Sequence, residues 1–378
     1  MAMSNALAQL AEITRDRHAY PKAWKERTGG QVLGYTCTYV PEEIAYAAGV
    51  LPVRIFGDLG YPGSADRSMG ATWCGFSRSC VSAGLDGHYD YLGYFVSTLT
   101  CIHMTQMYEI WQREIPGPKK HFIDAPWNLQ TPAAPAYWGR EMETFRKQVE
   151  EWRGEAITNE ALDHAFEVYN TNRRLLHRLY ETRKSPTPPI TGAEVLEVVL
   201  AGFYMDKADH NQLLEQLLGE LEGRQIDLPE LRGMLVGSEL NDVELVRTIE
   251  QAGMLIVTDD ECAGTRYFWN EVTPAEDRIL TLAQRYIDRP RCPLRDWTSR
   301  TRVPHIMNLA REYNVSGVIF ALQKFCDPHG WETPVLEAKL KEEDIPTLRV
   351  EMTFPTPYGP IRTRVEAFME TLLENALF

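Results

Sequence analysis

The sequence predicts an α/β protein built on two parallel sheets with a helical connecting block between them, and three observations carry that reading. Short apolar runs alternate with helix-periodic stretches near both ends of the chain, a rhythm that belongs to parallel layers and not to sandwiches. The middle of the chain has long, charged, helix-periodic segments and no strand-like run. The 378 residues exceed one ordinary hydrophobic core, so at least two domains are expected. The expected divisions are 1–136, 137–227 and 228–378.

In chain order, Glu42 to Ala48 follows Pro41 and stops at Gly49, the punctuation of a short helix. Leu51 to Phe56, Tyr91 to Leu99 and the core of a strand at His121 to Ile123 supply the first sheet. Trp138 to Arg153 and Asn159 to Lys184 are the clearest helices of the central block. Ser185-Pro-Thr-Pro-Pro breaks that run, and Thr191 with Glu194 three residues on is a capping-box pattern. Arg232 to Val236, Met254 to Thr258, Gly317 to Leu322 and Thr347 to Val350 are the strands of the second sheet. Helices are expected near 240–252, 275–287, 301–313 and 333–342, which makes the crossovers right-handed. Ile361 to Leu377 closes the chain as an amphipathic helix.

Composition narrows the function. A net charge of -14 repels phosphate backbones and argues against nucleic acid as a main partner. No apolar run approaches the roughly 20 residues that span a bilayer. The first twenty residues mix Glu12, Arg15, Asp16 and Arg17 into their apolar positions, unlike a signal peptide, so a cytoplasmic location is expected. In that reducing compartment the seven cysteines are poor disulfide candidates, and their odd number excludes a complete disulfide framework.

Nucleotide and hydrolase motifs are absent: there is no G-x-x-x-x-G-K-[ST], no G-x-S-x-G and no H-E-x-x-H. The glycines of Gly57 to Gly63 suit a turn. Val236 to Asp242 reads as a strand end followed by a helix cap, with Ser238 or Asn241 as the capping side chain. ATP, if the reaction needs it, is bound by another chain. His103, His305 and His329 lie beside expected strand ends or helix starts.

The cysteines are better placed. Cys101, Cys262 and Cys326 each follow an expected strand, and ligands of open α/β sheets gather outside the carboxyl ends of the strands. Cys74 stands where a helix should begin, with Arg78 nearby, and both features favour thiolate. Thiolates from separate loops suit an iron–sulfur cluster. Zinc is the competing metal, but its usual C-x-x-C pairs are missing. Core packing is the remaining alternative.

These residues together resemble the 2-hydroxyacyl-CoA dehydratase and benzoyl-CoA reductase superfamily, most of all the smaller cluster-binding subunit of ATP-dependent benzoyl-CoA reductase. The blocks that carry the resemblance are Gly34 to Arg54, Cys74 to Ser79, Leu92 to Cys101, Thr258 to Tyr267, Lys324 to Pro328 and Arg362 to Phe368, in order along nearly the whole chain. The resemblance implies two Rossmann-like domains with a 4Fe-4S cluster between them, ligated by Cys74, Cys101 and Cys326. Cys80 is the alternate ligand, because it lies close to Cys74. One iron is then left for water, substrate or a further residue. Ile102 stands where relatives often have Asp. Cys37, Tyr39 and His103 are candidate substrate-lining residues; Cys262 is a second lining candidate, and Cys292 is assigned to core packing.

The activity implied is reduction of the ring of benzoyl-CoA, or a substituted benzoyl-CoA, to a cyclic dienoyl-CoA. Implied partners are a homologous cluster-binding subunit, ATPase subunits with a bridging iron–sulfur cluster, ferredoxin as indirect electron donor, and the aromatic acyl-CoA. Two alternatives stay open: a 2-hydroxyacyl-CoA dehydratase subunit working through a ketyl radical, and a non-catalytic scaffold subunit.

Overall fold

The computed structural model describes residues 5–375. Among the described residues, eight strands form two four-stranded, wholly parallel sheets. The first holds β1 (Gln31–Tyr35), β2 (Val50–Arg54), β3 (Tyr94–Thr98) and β4 (Lys119–Ile123) in the order β2-β1-β3-β4. The second holds β5 (Leu231–Gly237), β6 (Met254–Asp260), β7 (Gly317–Gln323) and β8 (Thr347–Met352) in the corresponding order β6-β5-β7-β8. This is the α/β architecture the sequence predicts, with two parallel-sheet domains. In each sheet the strand order reverses beside the first strand, which opens a crevice at the carboxyl ends.

The strand patterns follow from burial. Every residue of β2, β3 and β6 is buried, because helices cover both faces and leave no exposed side to alternate with; their polar residues, Arg54, Ser97, Thr98 and Thr258 to Asp260, stand at the carboxyl ends. The edge strands β4 and β8 keep exposed positions. The first sheet has one strand more than the sequence predicts: β1, which lies at its centre. Its Gly34 is required there, since a Cβ would press on the side chains of Leu92 and Ile55.

Helix signals transfer with small shifts. The helix Glu42–Ala47 starts after Pro41 and is followed by Gly49 at φ +67, a left-handed conformation that glycine adopts without steric cost. The capping box between Thr191 and Glu194 is formed. The helix after β5, Val243–Gln251, is capped by Asp242 and not by Ser238 or Asn241. The helix expected near 333 begins six residues earlier and spans Asp327–Glu342, running through Pro334. The C-terminal helix is Tyr358–Asn375; the expected end at Leu377 lies outside the described residues. Among the described residues no helix is long and apolar enough to cross a membrane.

Buried polar bonds join the two halves. In the central helix Asn159–Glu181, Arg173 pairs with Glu43, both buried, while Asn170 Nδ2 donates to the Val272 carbonyl at 2.8 Å. The helix Arg278–Asp288 and the strap after it reach the carboxyl end of the first sheet. Tyr286 donates to Glu43 at 3.0 Å, Arg289 donates to the Thr38 carbonyl at 2.6 Å, and Arg295 donates to the carbonyls of Leu99 and Pro126.

Candidate functional site

The carboxyl ends of the two sheets lie against each other. Arg54, at the end of β2, is fully buried and pairs with Glu239 just past β5. Asn241 donates to the Gly57 carbonyl at 3.3 Å. Gly75 packs against Phe354 and Gln323. Gly237 ends β5 because a Cβ would overlap the Ala321 carbonyl and the Glu261 carboxyl. Cys74, Cys101 and Cys326 stand at this junction.

Each of the three is the N-cap of a helix. Cys74 precedes Gly75–Leu85, Cys101 precedes Ile102–Glu114 and Cys326 precedes Asp327–Glu342. A helix start presents free N–H groups and the positive end of the macrodipole. The Ser77 N–H donates to Cys74 Sγ at 3.4 Å. Burial pushes all three thiols up. The first-turn amides of Ser77, Met104 and His329 oppose that push at Cys74, Cys101 and Cys326 respectively. The thiols also feel one another: the charge of Cys74 raises both Cys101 and Cys326, and that of Cys326 raises Cys101. The sequence expectation of a ready thiolate at Cys74 is corrected here, because burial outweighs the helix start and Arg78 turns away to pair with Asp66.

The other cysteines divide. Cys80 is fully buried, and its thiol points to the Ile55 carbonyl at 3.7 Å. Cys37 is buried after β1. Cys262 Sγ accepts from Arg266 at 3.2 Å. Cys292, assigned to core packing, is only half-buried and stands at the start of the 3-10 turn Pro293–Arg295. Tyr39 is 1% exposed, with Arg289 and Arg295 over its ring at 4.0 and 4.8 Å, and its hydroxyl accepts the Cys292 N–H at 3.3 Å. His103 Nδ1 accepts the Cys74 N–H at 3.2 Å, and the ring lies 5.2 Å from Trp73. Glu261 carries no sequence motif that marks it. Burial raises its carboxyl well above the usual range, and both oxygens lack a hydrogen-bond partner.

Among the described residues, no group of three or more His, Cys, Asp or Glu side chains converges to hold a metal ion. A multi-iron cluster makes a different demand: it takes one thiolate at each of several separate corners, so its donors surround a volume. Three thiols on three helix starts, Cys74 buried and Cys101 and Cys326 half-buried, fit that demand in chemistry. They would shed their protons on binding, as thiol ligands do. Gln323 Oε1 and His329 Nε2, on either side of Cys326 in the sequence, are buried without a protein partner, which leaves bonding capacity for a bound group or water.

Beside Cys101 and Cys326, Ile102, Phe325 and Trp331 are all exposed. A cavity of about 380 Å³ opens beside Cys326, lined by Phe325, Trp331, Lys324, Arg349 and Arg364. A larger cavity, about 940 Å³, lies at the opposite, amino ends of β5, β7 and β8 and away from the thiols.

Comparison with known proteins is consistent with this geometry. The family model for the 2-hydroxyglutaryl-CoA dehydratase D-component matches residues 37–372. The chain is 26% identical to the (R)-phenyllactyl-CoA dehydratase beta subunit of Clostridium sporogenes, over 96% of this chain and 97% of that one. It is 27% identical to a benzoyl-CoA reductase subunit of Thauera aromatica, over 93% of each chain. It is 25% identical to the beta subunit of (R)-2-hydroxyglutaryl-CoA dehydratase of Acidaminococcus fermentans, over 98% of this chain and all of that one.

Proposed function

For a chain that belongs to the 2-hydroxyglutaryl-CoA dehydratase D-component family, we propose the role of the 4Fe-4S-carrying subunit of an ATP-dependent benzoyl-CoA reductase. The observation that supports this most is the set of three helix-capping thiols at the junction of the two sheets. Cys74, Cys101 and Cys326 would hold the cluster, which when bound supplies low-potential electrons. The chain's own residues do the rest. Helix starts and first-turn amides place hydrogen-bond donors toward the sulfurs, which tunes potential. His103 fixes the Cys74 backbone. The buried junction around Arg54 and Glu239 keeps water from the site, as radical chemistry requires. Cys37 lies close by for lining; Tyr39 acts from behind, holding the Cys292 turn. The exposed Ile102, Phe325 and Trp331 suit a homologous partner subunit, with ATP hydrolysis and ferredoxin on further chains.

A second reading, a 2-hydroxyacyl-CoA dehydratase subunit, is favoured by one specific observation: the phenyllactyl-CoA dehydratase beta subunit matches as fully as the reductase subunit does. The test is an anaerobic assay with the partner subunits, ATP and a strong one-electron donor. Consumption of benzoyl-CoA with formation of a cyclic diene supports the reductase. Dehydration of a 2-hydroxyacyl-CoA without net reduction overturns it in favour of the dehydratase, and protein purified anaerobically with its partner but without iron is a scaffold.

A further inference from the structure

We propose that Cys292 is a fourth thiolate ligand, bound to the iron that Cys74, Cys101 and Cys326 leave open. This rests on the cluster reading above and concerns a residue outside the ligand set that the resemblance implies.

Placement carries the argument. Cys292 sits in the strap that crosses from the second half of the chain to the first. Its N–H is held by the Tyr39 hydroxyl, and Arg295, three residues on, is tied to the Leu99 carbonyl at the foot of the Cys101 loop. On its other flank, Pro293 and Leu294 share a small cavity with Pro328 and Trp331 of the Cys326 helix. The Cys292 turn therefore lies between the Cys101 loop and the Cys326 helix.

Its local structure repeats theirs. Cys292 is an N-cap, extended at φ -64 and ψ 145, with proline at the first position of the turn; Cys326 is an N-cap with proline in its first turn. The residue is half-buried, as are Cys101, Cys326 and Cys262. The rival thiols are engaged: Cys80 with the Ile55 carbonyl and Cys262 with Arg266.

Ligation is a substitution without redox change. The Cys292 S–H proton passes to solvent, the iron–sulfur bond forms, and any water on that iron leaves. The added negative charge lowers the reduction potential. The chain then offers no open iron to a substrate.

The test uses the full chain with its partner subunit, purified anaerobically and treated with ferricyanide. A cluster with an open iron loses that iron and gives the paramagnetic resonance signal of a 3Fe-4S centre. Wild type is expected to keep all its irons, while Cys292→Ala loses one iron per cluster and gains the signal. Cys292→Ser, which keeps a ligating atom if the alanine variant folds poorly, is expected to retain the iron with a shifted Mössbauer spectrum at one site. The proposal is overturned if wild type forms the 3Fe-4S signal as readily as Cys292→Ala, or if Cys292→Ser leaves the Mössbauer spectrum unchanged. Wild type with no cluster at all overturns the cluster reading itself, a result distinguishable from either of these.

Discussion

The backbone N–H of Cys74 donates to Nδ1 of His103 at 3.2 Å, so a side chain from the helix that Cys101 caps holds the loop that Cys74 ends. Burial lowers the His103 pKa, partly opposed by Asp327, and the neutral ring that results keeps Nδ1 as an acceptor. His103→Ala removes that acceptor and is expected to lower the iron retained per chain, whereas His103→Asn, whose amide oxygen can take the same N–H, restores most of it. Equal iron in the alanine variant and wild type would remove His103 from this role.

Ligand identity predicts an ordering. Cys74→Ala, Cys101→Ala and Cys326→Ala should each reduce cluster occupancy, read as iron and sulfide per chain, more than Cys80→Ala does. Full occupancy in any of the first three strikes that residue from the set. Cys80→Ala should instead cost stability, because it empties a fully buried site.

The Arg173–Glu43 pair predicts a large, repairable loss. Burial pushes the Glu43 carboxyl up, but the charges of Arg173 and Arg285 together hold it below the ordinary range. Arg173→Met leaves that carboxylate buried without its closest partner, at a cost of about 3–5 kcal/mol. The double change with Glu43→Gln should recover part of the loss. Urea midpoints of the four proteins decide it; no recovery would mean that the pair is not coupled.

His210 predicts a pH slope. It is fully buried between Asn172 and the Val198 carbonyl, at 2.8 and 3.0 Å, and burial with help from Lys207 lowers its pKa to about 3. Between its ordinary pKa of about 6.5 and that lowered value, the unfolded chain binds a proton that the folded chain refuses. Stability is therefore lost as pH falls through this window, by up to about 1.4 kcal/mol per pH unit from this group. His210→Gln should flatten the dependence of unfolding free energy on pH from 6.5 to 5 by about that amount. Parallel slopes for the two proteins would contradict the assignment.

Gly237 predicts a steric cost at the junction. A methyl group there would overlap the Ala321 carbonyl of the neighbouring strand, and backbone yields less readily than side chain. Gly237→Ala should destabilise by about 1–3 kcal/mol, read as a lower denaturant midpoint with the denaturant slope unchanged. A midpoint equal to wild type would show that β5 and β7 can part without cost.

The parts of the fold legible in the sequence are those where a single period dominates. Gly317 to Leu322 is a continuous apolar run and becomes β7; Thr191 with Glu194 carries a cap and forms one. β1 is hidden because only Val32 and Leu33 are strongly apolar in it, with Gly29 and Gly30 before it and Gly34 inside it, so local composition speaks for a loop while burial by neighbouring helices imposes a strand. At the site, Arg78 is misleading because its proximity along the chain says nothing of Asp66, which captures it. Cys292 escapes a strand-end rule because it follows a helix and not a strand. Its proline-marked turn start, shared with the Cys326 segment, is the available signal.

The strap from Tyr286 to Arg295 has a mechanical consequence. Two-domain α/β enzymes often work by hinge closure, in which the halves swing apart to admit a ligand. A swing that parted the strap from the first sheet would break the buried bonds of Arg289 to Thr38 and of Arg295 to Leu99 and Pro126, and the loss of these charge-assisted bonds opposes it. Any motion that admits or releases a reactant is therefore expected to leave the strap seated on the first sheet and to open the crevice elsewhere along its rim.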